Sequence, residues 1–418
     1  MKILKNKYLL CLSLSSFLGF GQTVNEGIFI VLPETNVSTV YSFINEKGAT
    51  VQNDGGLYFY SHFTNEGLYT FDGNKKTSYA VFQPYEGGIG AQNLLGSAPS
   101  GFYDVLFNNP TTIRAFELHN DMNISGTANF KDGIVQIDSL NGAMVFERGA
   151  KAINVSDMSH ADGEVEKIGD EGFVYPIGDD GFYRYARISA PKDLQGSFLG
   201  KYYLKNSNPK QPHNNKAESI ELIDNKEYWT IEKAAGKTDV VLTLSWDKRT
   251  TPDELIKNAE KTMRIVRWDT NKNLWVDQGG IVDMADKTVT SIAEVDGYGV
   301  FTLAAIKDDW IDDDEVIIYN AVSPNGDGEN DYFIIKNIEK YPNNTVQVYN
   351  RWGVKVFDTD NYNAYDNVFK GYSDGRVTVK KNDKLPTGTY FYIVNYEFTD
   401  KTGSRMIKKS GYLHLENN

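Results

Sequence analysis

From about residue 22 to residue 190 the apolar positions fall in short runs, each opened by a glycine or an acidic or amide residue followed by glycine. Examples are Gly56-Leu57-Tyr58-Phe59-Tyr60, Gly67-Leu68-Tyr69-Thr70-Phe71, Gly133-Ile134-Val135-Gln136-Ile137, Gly142-Ala143-Met144-Val145-Phe146 and Gly149-Ala150-Lys151-Ala152-Ile153. Runs this short, spaced by roughly 8–12 residues and without a helical period, predict β-strands joined by tight turns. The pairs Asp54-Gly55, Glu66-Gly67, Asp132-Gly133 and Asn141-Gly142 are expected to supply the positive φ values of such turns. Two architectures accommodate this pattern, a β-solenoid of stacked coils and a β-sandwich. The recurrence of one glycine-apolar-x-apolar unit with little variation in length favours the solenoid.

The pattern changes in residues 191–307. Longer strand candidates occupy 228–232, 240–246, 263–269, 274–277, 288–295 and 299–306, and six such runs in one domain-sized stretch predict an immunoglobulin-like sandwich. Thr251-Pro252-Asp253-Glu254 reads as a capping box with proline at the first helical position, leading into a helix over 254–261. Trp246, Trp268 and Trp275 are expected to pack in the core or at a sheet edge; a stacking platform for sugars is the functional alternative. Just upstream, Arg184 and Arg187 are expected to pair with surface acids such as Asp179 and Asp180, with an anionic ligand as the alternative.

Residues 308–315, Asp-Asp-Trp-Ile-Asp-Asp-Asp-Glu, form an acidic run whose like charges repel and hold a linker extended. Beyond it, residues 316–418 resume strand patterning. Val346, Val348, Val354 and Val356 alternate with polar partners on either side of Arg351-Trp352-Gly353, and Pro386 and Gly388 turn the chain into a strand over 389–396. The third unit is therefore a small antiparallel sandwich, and the whole chain is all-β.

Composition adds to this picture at two points. The 13% aromatic content, with 26 Tyr and 22 Phe, suits sheets. The formal charge of −13 over 418 residues repels phosphate backbones and argues against a nucleic-acid partner. Residues 1–21 read as a secretory signal: Lys2, Lys5 and Lys7, then an apolar stretch from Tyr8 to Phe20, then Gly19-Phe20-Gly21 as a small-x-small cleavage site. Its apolar part is short of the ~20 residues a membrane span needs. Cleavage would remove three lysines and the only cysteine, Cys11, leaving a charge of −16 and no transmembrane segment in the mature chain.

The search for chemistry is mostly negative. His62, His119, His160, His213 and His414 stand in no zinc-protease or nucleophile-elbow pattern, and Gly87-Gly88-Ile89-Gly90 lacks the lysine of a phosphate loop. A carboxylate pair for glycoside hydrolysis is compatible with the many Asp and Glu, but no enzyme activity or cofactor is expected. Asn325, Asp327, Glu329 and Asp331 place oxygen ligands at alternate positions of a glycine-rich loop, a spacing that suits Ca²⁺. It is not an EF-hand, since Asn330 stands where glycine is needed and Lys336 where the bidentate glutamate is needed. The alternative is a loop whose amide and carboxylate side chains cap its own turns.

Three runs in the C-terminal unit occur together and in order: Ser323-Pro324-Asn325-Gly326-Asp327-Gly328-Glu329-Asn330-Asp331, then Asn350-Arg351-Trp352-Gly353, then Leu385-Pro386-Thr387-Gly388-Thr389-Tyr390-Phe391-Tyr392. In these runs residues 316–418 closely resemble the gliding-motility-associated C-terminal domain of Bacteroidetes, the type B sorting signal of the type IX secretion system. One departure is Val368-Phe369-Lys370-Gly371, where such domains commonly carry Trp-Asp/Asn-Gly. The resemblance implies passage through the periplasm to the cell surface or the extracellular face of the outer membrane, and a domain retained after export. It also implies two partners, the type IX translocon and an SprF/PorP-like outer-membrane barrel. Asp138-Ser139-Leu140 matches the short O-glycosylation pattern of envelope proteins from the same bacteria, with a plain strand-end serine as the alternative. The sequence thus reads as an exported, non-enzymatic surface protein connected with gliding motility or adhesion. The alternatives are a fixed subunit of the secretion or motility apparatus and a secreted polysaccharide-active protein.

Overall fold

The structure is a computed structural model. It describes residues 21–307 and 316–417, apart from 87, 89, 329, 364–366, 375–382 and 401–402. The expected signal segment up to residue 20, the linker 308–315 and the candidate ligand Glu329 lie outside the described residues.

The N-terminal region is a β-solenoid. Successive coils contribute one strand to each of three parallel sheets, as Ser42–Asn45, Thr50–Asn53 and Gly56–Phe59 do. Strands of neighbouring coils pair in parallel register, Phe43 opposite Phe63 and Phe59 opposite Phe82. Stacking identical positions puts like side chains on top of one another. Phe59, Phe82, Phe107 and Phe130 form a column, with centroids 5.1, 6.0 and 5.4 Å apart. A second column is polar: Asn25 donates to Asn45 and Asn45 to Asn65, both at 2.8 Å, and Asn65 donates to the Ser100 hydroxyl at 3.0 Å. Each amide satisfies the next, so polar corners can be buried without orphaned groups.

The glycines at the corners have a different reason from the expected one. Of Gly55, Gly67, Gly133 and Gly142, Gly133 alone has a positive φ, +94°. At Gly55 a β-carbon would collide with the carbonyls of Leu32 and Thr35, at Gly67 with those of Ala49 and Glu46, and at Gly142 with that of Leu118. The coil stacked alongside, and not the turn dihedral, excludes a side chain there.

The solenoid's last rung does not end as an open edge. Val165–Ile168 pairs antiparallel with Ser197–Tyr203, and the sheet continues through Tyr228–Ala235, Gly299–Ile306, Met263–Asp269 and Leu274–Asp277. A second sheet of Phe173–Val174, Ala186–Ile188, Val241–Ser245, Thr288–Glu294 and Ile281–Asp283 packs on it. One apolar core runs without a break from Val31 to Ala305. The single helix expected over 254–261 is two one-turn helices, Asp253–Ile256 and Ala259–Thr262. Thr251 does not cap the first of them; Pro252 holds the N-cap position without a side-chain bond. The Thr251 hydroxyl is drawn instead to the buried Glu227 carboxylate and accepts the Asp247 N–H at 3.1 Å.

The C-terminal domain has its own core around Phe333, Val346, Val348, Tyr362, Tyr392 and Leu413. Its sheet runs in the order Ala321–Val322, Gly403–Leu415, Gly388–Asp400, Asn344–Tyr349, Lys355–Asp360, antiparallel except for the short first strand. Along Gly388–Asp400 the faces alternate. Tyr390, Tyr392, Val394 and Tyr396 point into this core. Ile393 and Phe391, with Tyr349, point the other way and pack on Ile281 and Ile292 of the passenger sandwich.

Candidate functional site

The three motif runs are far apart in sequence, and the register brings them to one end of the C-terminal sheet. Val322 pairs with Leu415, Leu415 pairs with Gly388, and Tyr349 pairs with Phe391. The loop after Val322, the turn after Tyr349 and the approach to Gly388 therefore leave the sheet on the same side.

The first run is built by its own side chains. The Asp331 carboxylate accepts the Gly326 N–H at 2.6 Å on one oxygen and the Gly328 N–H at 2.9 Å on the other. Gly326 (φ +82°), Gly328 (φ +91°) and Asn330 (φ +54°) adopt left-handed conformations, which glycine and asparagine tolerate best. Asn325 accepts the Asp327 N–H at 3.0 Å and donates to the Asp327 carboxylate at 2.8 Å, while the Asn330 carbonyl accepts the Ser323 N–H at 2.7 Å. Pro324 lies against the Gly371 corner. Of the four candidate Ca²⁺ ligands, Asn325, Asp327 and Asp331 are thus turned onto the loop itself. Among the described residues no group of three acidic, His or Cys side chains converges on one point.

The second run is a hairpin turn. The Asn350 side-chain oxygen accepts the N–H groups of Trp352 and Val354, both at 3.0 Å, and Gly353 takes φ +75°. With the backbone held from within, Arg351 and Trp352 project outward; the guanidinium sits 4.2 Å from the indole centroid and Trp352 is 63% exposed. The third run inserts Leu385 and Tyr390 into the core, with the Tyr390 hydroxyl donating to the Pro386 carbonyl at 2.8 Å. Thr387 accepts the Asn417 N–H at 2.9 Å, and the Asn417 amide donates to Gly371 and Leu385, each at 2.9 Å. Thr389 faces His414 in the sheet. The departure at 368–371 is accommodated by Phe369, fully buried, whose carbonyl accepts the Phe333 N–H at 2.8 Å.

Two residues the motif reading passed over hold this end together. Buried Asn344 donates to the carbonyls of Tyr341 at 2.7 Å and Tyr362 at 3.2 Å, and accepts the Tyr362 N–H at 2.8 Å. Tyr362 in turn donates its hydroxyl to the Phe333 carbonyl and accepts the Phe369 N–H; burial pushes that phenol well above its ordinary range. The adjacent Tyr341-Pro342-Asn343-Asn344 run, an amide pair ahead of a strand, is the only sequence signal that marks them.

The passenger candidates resolve differently. Arg184 does not meet Asp179 or Asp180. It is buried and forms a two-point pair with Glu227, with both bonds at 3.1 Å, and adds bonds to the Ser245 carbonyl at 2.7 Å and the Thr250 hydroxyl at 3.0 Å. Trp246, Trp268 and Trp275 are buried, the last two edge to face at 5.7 Å. Ser139 is exposed on a turn that Asp138 ties by accepting the Leu140 N–H and the Asn141 amide. These bonds, with one from His119, hold the Asp138 carboxyl at about 2. The histidines are dispersed: His62 accepts the Asn93 N–H, His119 meets Asp138, His160 the Ser156 carbonyl and His213 the Ser207 hydroxyl.

Comparison with known proteins bears on this end of the molecule. Residues 316–415 match the family model of the CHU_C type IX secretion signal domain. No curated protein and no solved structure matches the chain. The C-terminal domain therefore carries a type IX secretion signal, which directs the chain to that secretion machinery and out to the cell surface or beyond it. No helix among the described residues is long and apolar enough to cross a membrane.

Proposed function

We propose that the solenoid and sandwich are a non-enzymatic passenger, displayed at the outer face of the outer membrane by the C-terminal domain for a task in adhesion or gliding motility. The observation that carries this reading is the matched signal domain at residues 316–415, which has a core of its own and gathers its three motif runs at one end. An SprF/PorP-like barrel is the proposed docking partner. The outer strand Lys355–Asp360 pairs with one strand only among the described residues; its Val356 carbonyl accepts the Asp374 N–H at 3.0 Å, and the rest of such an edge can accept a strand from a partner. A second reading, a fixed subunit of the secretion or motility apparatus, is favoured by the apolar packing of the signal domain on its passenger. The polysaccharide-active alternative has lost its tryptophan platform to the core.

The decisive experiment deletes residues 310–418 in the native host. The truncated protein is expected to accumulate in the periplasm, and normal surface display of it overturns the proposal. Since deletion uncovers Ile281 and Ile292, a second arm fuses residues 308–418 to an unrelated exported reporter, which should then reach the surface. Affinity purification of the intact protein from native membranes separates the two readings: a barrel partner retained in stoichiometric amount supports the fixed subunit, and a substoichiometric, transient one supports free display.

A further inference from the structure

Where the signal domain meets the passenger sandwich, a cavity of about 290 Å³ remains between them. Its walls are apolar: Phe173, Ile188, Val241 and Ile292 from the sandwich, Tyr349 and Phe391 from the signal domain. The volume lies just below the ~300–1,000 Å³ typical of small-molecule sites. Such walls suit a hydrocarbon chain or a single ring.

Its polar lining comprises the hydroxyl side chains of Ser189, Thr243, Thr290 and Ser291 and two arginines, one from each side. Arg187 stands on Ala186–Ile188 of the sandwich, exposed, with one long bond of 3.4 Å to the Thr243 hydroxyl. Arg351 comes from the hairpin turn of the signal domain, stacked on Trp352. Neither forms a salt bridge among the described residues, although acids outnumber bases in the chain by 56 to 43. By contrast Arg184, three residues before Arg187, is buried and paired with Glu227, its other N–H groups bonded to Ser245 and Thr250. Two uncompensated guanidiniums beside an apolar cavity make an anion-binding mouth on a greasy pocket.

We propose that this cavity binds a small amphiphilic carboxylate of the fatty-acid class, with its chain between the two domains and its carboxylate held by Arg187 and Arg351. Because each domain contributes one arginine and part of the wall, such a ligand fastens the signal domain to its passenger.

The test uses the chain from residue 22 onward and decanoate as the probe. Calorimetry should show saturable one-to-one binding, with quenching of the exposed Trp352. Decanol, of equal length but uncharged, should bind at least tenfold more weakly. The R187Q and R351Q variants should each lose binding at least severalfold, and both together at least tenfold; R187Q lies outside the secretion signal, so its effect is independent of export. Wild-type melting temperature without ligand establishes that the variants fold. Absence of saturable binding by decanoate, equal binding of decanol, or undiminished binding by the folded double variant each overturns the proposal.

Discussion

Asp224 shows how a single buried side chain contributes to the pH response of the passenger. One oxygen accepts the N–H groups of Lys226 and Glu227 at 2.8 and 3.2 Å, while the other has no hydrogen-bond partner. Burial, and then the neighbouring Glu227 charge, hold its carboxyl well above the usual range. In the unfolded chain the same group ionises near ~3.9. Between that pH and its own titration the folded state keeps a proton that the unfolded state has lost, so stability falls as pH rises. Asp224→Asn keeps the accepting oxygen and removes the titration. Its denaturation midpoint should exceed the wild type's at pH 7 to 8, with the gap closing towards pH 3; an unchanged gap across that range would contradict this account. The local sequence around Arg184 offered the acids Asp179 and Asp180, yet its partner Glu227 is 43 residues away. Only the packing of two sheets against each other brings those charges together.

At the scale of the element, the solenoid's strands were legible because each short run keeps the period of a strand, and its glycine-opened unit repeats. The reason for the glycines was not legible, since the carbonyl that excludes a side chain belongs to another coil. The asparagine column is hidden in the same way: Asn25, Asn45 and Asn65 look like ordinary turn residues until stacking aligns them. Asn45→Ala removes the acceptor of Asn25 and the donors to Asn65 and to the Leu68 carbonyl. Orphaned buried groups cost about 1–3 kcal/mol each. Hydrogen exchange should therefore accelerate in the strands Ser42–Asn45 and Phe63–Asn65, with rates in residues 316–415 unchanged. In the signal domain the converse holds. Asp331 and the glycines it binds lie within five residues of one another, so the motif can be read as a self-closing loop directly from its order.

The largest scale adds the packing of the signal domain against its cargo. Phe391 and Ile393 are apolar on the face that does not enter the domain's own core. Ile393 is 1% exposed and Lys408 approaches Asp277 across the junction. Burial lowers the lysine's pKa and raises that of the aspartate, each opposed by the other's charge. Ile393→Asp would place a charge in the apolar seam against Ile281 and Ile292. Small-angle scattering should then show a larger radius of gyration, while each domain keeps its own melting transition; an unchanged radius would refute docking through this face. By itself, the sequence determined the all-β class and the secretion-signal domain and favoured a solenoid over a sandwich for the N-terminal repeat, because each rests on patterns local in the chain. The tertiary structure alone decided that solenoid and sandwich share one sheet and core, that Arg184 is buried while Arg187 stays open, and that the signal domain lies against its passenger. Those outcomes depend on contacts between distant segments, whose partners no local pattern names.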